Sequence, residues 1–254
     1  WRRGWDPESI KPKKTDQKAL VIGSGPSGLE CTMQLARRGY HVTLAEADNK
    51  LGGRVLFESG LKGLSAWKRV SDNRIYEIQQ KNNIEIYKES ELTLSHINEL
   101  GINNIFLATG ASWRKDGVGR SRRKPLQGLD SLQVLTPEEA IKQSPNLSGP
   151  IVVYDDEQGY LAGVIADHLS FEEHVVIFIT PASVVSPWTE STLEQKRIQK
   201  ALLVSGVNVI CNKTIDKAEG SNLNLKCVFT GEISLLKCSS LVMVTERIPN
   251  TTLY

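Results

Sequence analysis

After a polar opening, the chain alternates between short apolar runs and longer amphipathic stretches. KALVIG (18–23) is an apolar run of the length and character of a strand buried on both faces. PSGLECTMQLARRG (26–39) follows, with Leu29, Met33, Leu35 and Ala36 near helical spacing and Gly39 as a stop. HVTLAEA (41–47) reads as the next strand, which makes residues 18–47 a strand–helix–strand unit with a right-handed crossover. The pattern then predicts a charged helix over 65–82, strands at IEIYKES (84–90) and NIFLATG (104–110), a loop over 111–128 and a short helix at PEEAIKQ (137–143).

At PIVVYDD (150–156) the pattern restarts with another strand. A helix over 159–173, a strand at HVVIFIT (174–180), a helix over 190–206 and a strand at VNVICN (207–212) follow. Three short runs, LNLKCVF, EISLLKC and SLVMVTE, read as an antiparallel meander. The expected class is therefore α/β, with the same device begun twice. The expected organisation is a linker over 1–17, domains over 18–148 and 149–245, and a return segment over 246–254 toward the first domain. Trp1 and Trp5 are unusual in a polar linker and are expected to pack on something.

Composition narrows the function classes. With 254 residues, 40% hydrophobic and 24% charged, the chain has the make-up of a globular protein of one large or two ordinary domains. A formal charge of +2 gives no reason to expect a nucleic-acid partner. No apolar run approaches the roughly 18 residues of a membrane span, and the first residues lack a signal-peptide core. Cys31, Cys211, Cys227 and Cys238 form no CxxC pair, and the four histidines have no metal-like spacing. Reduced cysteines in a cytoplasmic protein are the expectation. The loop WRKDGVGRSRRK is basic and reads as a solvated loop in preference to a site for an anionic partner.

The chemistry lies in Gly23-Ser24-Gly25-Pro26-Ser27-Gly28, a G-x-G-x-x-G run that leaves a strand and opens a helix. Gly23 permits the tight turn, Gly25 keeps a Cβ out of the path of a pyrophosphate, and Gly28 lets helix and strand pack closely. The N–H groups at the helix start favour phosphate, and Pro26 at an early helical position loses no donor. Glu46, at the end of the second strand, sits where an acid binds ribose hydroxyls and repels a 2′-phosphate. The alternative is a glycine turn that only packs helix on sheet; strand, loop, helix, strand and acid in this order favour nucleotide binding over it. Gly52 and Gly53 offer a second close backbone approach to a diphosphate, with Arg54 to neutralise it.

GSGPSGLE, LAEADNKLGGRV, IFLATGASW and LVMVTERIPNTTLY together resemble the two-dinucleotide-domain flavoproteins. More closely, they are similar to the C-terminal region of the trimethylamine and dimethylamine dehydrogenases, with histamine dehydrogenase and dienoyl-CoA reductase as relatives. The resemblance extends over essentially the whole chain, including RRGWDPESI. It implies two Rossmann-like domains, the first holding FAD in the reductases and ADP in the trimethylamine dehydrogenase type. It further implies a TIM barrel that carries FMN and an iron–sulfur cluster and does the amine chemistry, absent from this sequence, and an electron-transferring flavoprotein as electron acceptor. Carried over by motif, the nucleotide residues are Gly23, Gly25, Ser27, Gly28, Glu46, Gly53 and Arg54. Thr109 and Gly110 of the ATG turn close over the nucleotide, and Trp113 covers it. No residue of the chain is assigned a catalytic role. The family's chain continues past NTTLY to a segment that completes the first domain, so the first domain is expected to lack its closing segment.

Asp155-Asp156-Glu157-Gln158-Gly159-Tyr160 stands where relatives that use NAD(P)H have glycines. Acids there repel a pyrophosphate, which implies a second domain that keeps its fold without nicotinamide binding. The acids are compatible with a simpler role, capping the following helix. Two other functions remain open at this point: an FAD-dependent NAD(P)H oxidoreductase, and a non-catalytic module that docks a barrel subunit or electron carrier.

Overall fold

A computed structural model describes residues 11–13, 15–147 and 149–253. Trp1 and Trp5 lie outside the described residues. The chain divides into two compact units. Unit 1 takes in the chain up to Gly60, Leu64–Gly110 and the segment from Pro249; unit 2 takes in Leu61–Gly63 and Ala111–Ile248.

Unit 1 begins with β1 (Lys18–Ile22), α1 (Pro26–Arg37) and β2 (His41–Ala45), the strand–helix–strand unit the apolar pattern predicts. Then come α2 (Val55–Glu58), α3 (Lys68–Gln79), β3 (Ile84–Tyr87), α4 (Leu94–Leu100) and β4 (Asn104–Leu107). The four strands form one parallel sheet in the order β3-β2-β1-β4. The order reverses at β1, so the C-terminal end of β1 is the switch point where ligands of such sheets bind. Alternate residues of β1 feed two apolar layers. Val21 packs with Leu29, Met33, Val42 and Leu44 on one side, and Leu20 and Ile22 pack with Ala45 and Ile97 on the other. Leu253, from the returning segment, packs against the second layer. Helix α4 has no counterpart in the expected elements; it starts at a capping box in which Thr93 accepts from the His96 N–H at 3.3 Å.

Unit 2 contains β5 (Ala111–Trp113), β6 (Gln133–Leu135), α5 (Pro137–Gln143), β7 (Ile151–Asp155), α6 (Leu161–Phe171), β8 (Val176–Ile179) and α7 (Gln195–Val204). The remainder is β9 (Asn208–Ile210), β10 (Lys213–Glu219), β11 (Asn222–Cys227), β12 (Ile233–Lys237), β13 (Ser240–Val244) and β14 (Arg247–Pro249). Five strands make a parallel sheet ordered β6-β13-β7-β8-β9, β10-β11-β12 make an antiparallel one, and β14 pairs with β5.

Two expectations are corrected here. SLVMV is not part of the meander: all five residues of β13 are buried, and it lies parallel between β6 and β7. A run apolar at nearly every position suits a strand covered on both faces, and an exposed hairpin does not need it. The third meander strand is instead β10, whose period breaks at a bulge between Ile215 and Lys217. Residues 111–147, assigned from the sequence to the first domain, fall in unit 2, where β6 pairs with β13.

Among the described residues no helix is long and apolar enough to cross a membrane, and no group of three or more His, Cys, Asp or Glu is arranged to hold a metal.

Candidate nucleotide-binding site

The loop from β1 to α1 has the geometry its glycines imply. Gly23 has φ +100°, and a Cβ there would overlap the Ala108 carbonyl oxygen. A Cβ on Gly28 would overlap the Gly23 carbonyl oxygen and come within 3.2 Å of the Ala108 Cβ. These two glycines are required by the fold itself. Gly25 differs: a Cβ there would meet nothing within 4 Å. Its bareness serves no packing contact and leaves open space beside the start of α1. Gly25 is the N-cap, no side chain caps the helix, and Pro26 occupies the first turn. Ser27 is exposed and Gly28 buried. Among the described residues no side chain caps the amides at the start of α1, the arrangement that favours an anion there.

Glu46 follows β2 by one residue and is buried. Its carboxylate accepts the Ser24 N–H at 2.7 Å, the Ser24 hydroxyl and the Asp48 N–H at 3.0 Å. These bonds fix the acid beside the glycine loop. A carboxylate has about four acceptor positions, so capacity for a ribose hydroxyl remains. Ser24 occupies a variable position of the motif, and its role as the tether of Glu46 has no signal in the sequence.

The second glycine pair is brought to the first. The Gly52 N–H donates to the Ser24 carbonyl at 3.0 Å, and a Cβ on Gly53, with φ +56°, would lie 2.9 Å from the Gly25 Cα. Arg54 has a partner within its own helix turn, Glu58 at 3.4 Å, and its side chain is still about half exposed. Thr109 and Gly110 are held by Asn250. The Thr109 hydroxyl donates to the Asn250 carbonyl at 2.9 Å, the Asn250 amide donates to the Thr109 carbonyl at 2.9 Å, and the Asn250 N–H donates to Gly110 at 3.0 Å. Trp113 belongs to unit 2, where it is buried and the Arg247 guanidinium lies 4.2 Å from its ring centre. The residue of the ATG turn that touches the glycine loop is Ala108, which the motif did not single out.

The second strand-to-helix turn is filled by its own side chains. Asp155 and Asp156 are fully buried. Asp155 accepts the Gln158 N–H at 2.7 Å with one oxygen, and its other oxygen is buried without a partner among the described residues. Asp156 accepts the Ser121 N–H at 2.9 Å and the Ser121 hydroxyl at 2.6 Å. Burial pushes both acids up from the ordinary carboxylate value, Asp155 far more. Neither caps α6, which has no side-chain cap at Tyr160; the expected capping role is replaced by one bond inside the turn and two to a distant loop. Gln158 has φ +66°, and a Cβ on Gly159 would lie 2.7 Å from the Glu157 carboxylate.

Known proteins resemble this chain in sequence and in fold. The sequence profile of the pyridine nucleotide-disulphide oxidoreductases matches residues 17–254, with a second, overlapping match over 6–59, and the chain belongs to that family. Within it the chain is homologous to amine dehydrogenases. It is 29% identical to dimethylamine dehydrogenase of Hyphomicrobium sp. (strain x), over all of this chain and 38% of that protein. The structure of histamine dehydrogenase from Rhizobium sp. 4-9 is 41% identical, with a TM-score of 0.94 over 98% of this chain and 39% of that one. The 6-hydroxypseudooxynicotine amine oxidase of Pseudomonas geniculata N1 is 34% identical, with a TM-score of 0.92 over 99% of this chain and 38% of its own. The chain thus spans about two fifths of the length of these relatives. Thioredoxin reductase of T. acidophilum, 14% identical at a TM-score of 0.60 over 93% of this chain and 80% of that one, shares the fold.

Proposed function

We propose that this chain is the nucleotide-binding part of an amine-dehydrogenase-like flavoprotein, and that unit 1 holds an adenine nucleotide, as FAD or as ADP. The observation that carries the reading is Gly25. It is a glycine whose missing side chain leaves open space at an uncapped helix start, one loop away from the buried Glu46. The residues fit the group. Gly25, Ser27 and Gly28 would receive the diphosphate, Gly53 keeps the second loop close, and Glu46 would take the ribose hydroxyls. FAD would supply redox chemistry; this chain's residues bind and orient it, and none of them is assigned to the reaction. The Thr109–Gly110 turn would border the same ligand.

In this reading the two units are Rossmann-like domains of the two-domain flavoprotein type, the second keeping the fold without binding a nicotinamide nucleotide. Support comes from the buried Asp155 and Asp156 in the turn where a pyrophosphate would sit. The relatives' greater length supports a partner domain, a barrel with FMN and an iron–sulfur cluster on the same or another chain, where an amine would be oxidised. An electron-transferring flavoprotein as acceptor and a cytoplasmic location complete the proposal. The test is direct: the purified chain is denatured, and the released small molecule is identified by mass spectrometry and visible spectrum. Flavin or ADP supports the reading. No nucleotide, together with no saturable binding of added ADP or FAD, refutes it.

A further inference from the structure

The crevice of the second unit lies between the carboxyl ends of β7 and β13. From β7 the chain passes to β8 and β9 on one side, and β13 and β6 lie on the other. A doubly wound sheet receives ligands at such a switch point. Here the chain's own loop 119–121 lies across it. A Cβ on Gly119 would overlap a carboxylate oxygen of Asp156, just past β7, and would lie 3.1 Å from the Cβ of Thr245, just past β13. Gly119 is therefore a glycine because the loop is pressed into the sheet end.

The loop also carries anion-binding donors. The N–H and hydroxyl of Ser121 both point their hydrogens at the Asp156 carboxylate, at 2.9 and 2.6 Å. Arg120 is near enough to draw down the Asp156 pKa, although burial, the larger influence, holds it above the ordinary value. Both sides of the loop are anchored within the unit. The Arg120 guanidinium lies 4.9 Å from the Trp188 ring centre, and Arg122 donates to the Asp216 carbonyl at 2.7 Å. Beside this point the Thr245 hydroxyl and one oxygen of Asp155 are buried with no partner among the described residues. Two buried polar atoms beside an occupied pair of donors call for an explanation, and a switch point built to receive a polar guest but filled from within supplies one.

We propose that loop 119–121 is a phosphate-type anion cradle plugged by the protein's own Asp156, and that this internal anion keeps unit 2 from taking a nucleotide diphosphate. A carboxylate on two directed donors with an arginine alongside copies what a phosphate oxygen would receive. The inference deepens the reading that unit 2 takes no nicotinamide nucleotide. Repulsion by acids alone would leave the cradle empty; here the donors are already spent.

The test replaces Asp156 by glycine in the full chain and follows hydrogen exchange at residues 117–123, which separates this site from the glycine loop of unit 1. In the wild type these amides should be protected, and millimolar inorganic pyrophosphate should leave them unchanged. In Asp156→Gly their protection should fall at least about tenfold, the equivalent of one charged hydrogen bond, and pyrophosphate should restore it. The double variant Asp156→Gly/Ser121→Ala should lose that restoration. If Asp156→Gly fails to fold in plain buffer, refolding in phosphate or formate supports the cradle, and failure to refold in either overturns it. Restoration absent in a folded Asp156→Gly overturns the proposal, as does an equal pyrophosphate response in the wild type. Saturable NADH binding by the wild type would instead defeat the reading of unit 2 itself.

Discussion

Asp155→Asn should stabilise unit 2 at neutral pH, and the size of the gain should depend on pH in a defined way. Asp155 is fully buried, accepts one hydrogen bond from the Gln158 N–H, and has a second oxygen with no partner among the described residues. Burial raises its pKa well above 3.8, the Gln158 bond opposes the rise, and the charges of Glu157 and Asp156 add to it. The folded chain thus holds the Asp155 proton to higher pH than the unfolded chain does. The stability this contributes is fully present below about pH 4 and is lost as the pH rises toward the folded value. Over that window the loss is about 1.4 kcal/mol per pH unit for one proton. Asparagine keeps the acceptor for Gln158 and cannot ionise. The difference in opening free energy between wild type and Asp155→Asn, measured by hydrogen exchange of β7 and β8 amides from pH 4 to 8, should therefore grow in favour of the variant at about that slope. It should level off once the folded pKa is passed. A difference that stays flat from pH 4 to 8 would show that Asp155 is solvated, and would refute the reasoning.

Gly25 and Gly28 should fail in opposite ways. Gly25→Val should fold, by circular dichroism, yet lose adenine nucleotide binding, whereas Gly28→Ala should lose the fold of unit 1, because its Cβ has no room against Gly23. Titrating the wild type with NADH should give no saturable fluorescence change; a micromolar dissociation constant would contradict the closed second crevice. Among the cysteines, Cys227 should alkylate fastest, with a rate that rises through a midpoint near pH 7. A hydrogen bond from the Thr230 side chain brings its thiol down to about 7, while burial pushes Cys238 up to about 12.

The sequence made unit 1 legible because its signals are local. The apolar run of β1, the helical spacing of α1 and the three glycines each act within a few residues, and the structure gives each the conformation expected. Strand β13 was misplaced because an apolar run states that it is buried and does not state which sheet buries it. Strands β5 and β6, of three residues each, are too short to show a period, and β10 loses its period at the bulge. At the site, Gly23, Gly28 and Glu46 could be read from spacing. Ser24 and Asn250 could not, since their partners, Glu46 and Thr109, lie far away in sequence and only the folded sheet brings them together. The acids of the second turn were legible as an obstacle, but the loop that uses Asp156 was not.

The clamp between Asn250 and Thr109 joins residues 141 positions apart. Closing a flexible loop of that length costs roughly 4 kcal/mol in chain entropy. The β5–β14 ladder removes most of that cost, because the intervening segment of unit 2, Ala111–Ile248, enters and leaves through two strands that pair with each other. The segment Ala111–Ile248, the larger part of unit 2, is in effect an insertion whose ends already meet, and its folding prepares this contact of unit 1. A chain emerging residue by residue would therefore gain this contact of its older unit only after residues 111–248 have emerged. Only when the segment from Pro249 has arrived can Asn250 seize the turn made by Thr109 and Gly110, and Leu253 close the layer beneath β1. Excision of 111–248 with a short splice between Gly110 and Pro249 should leave that clamp able to form.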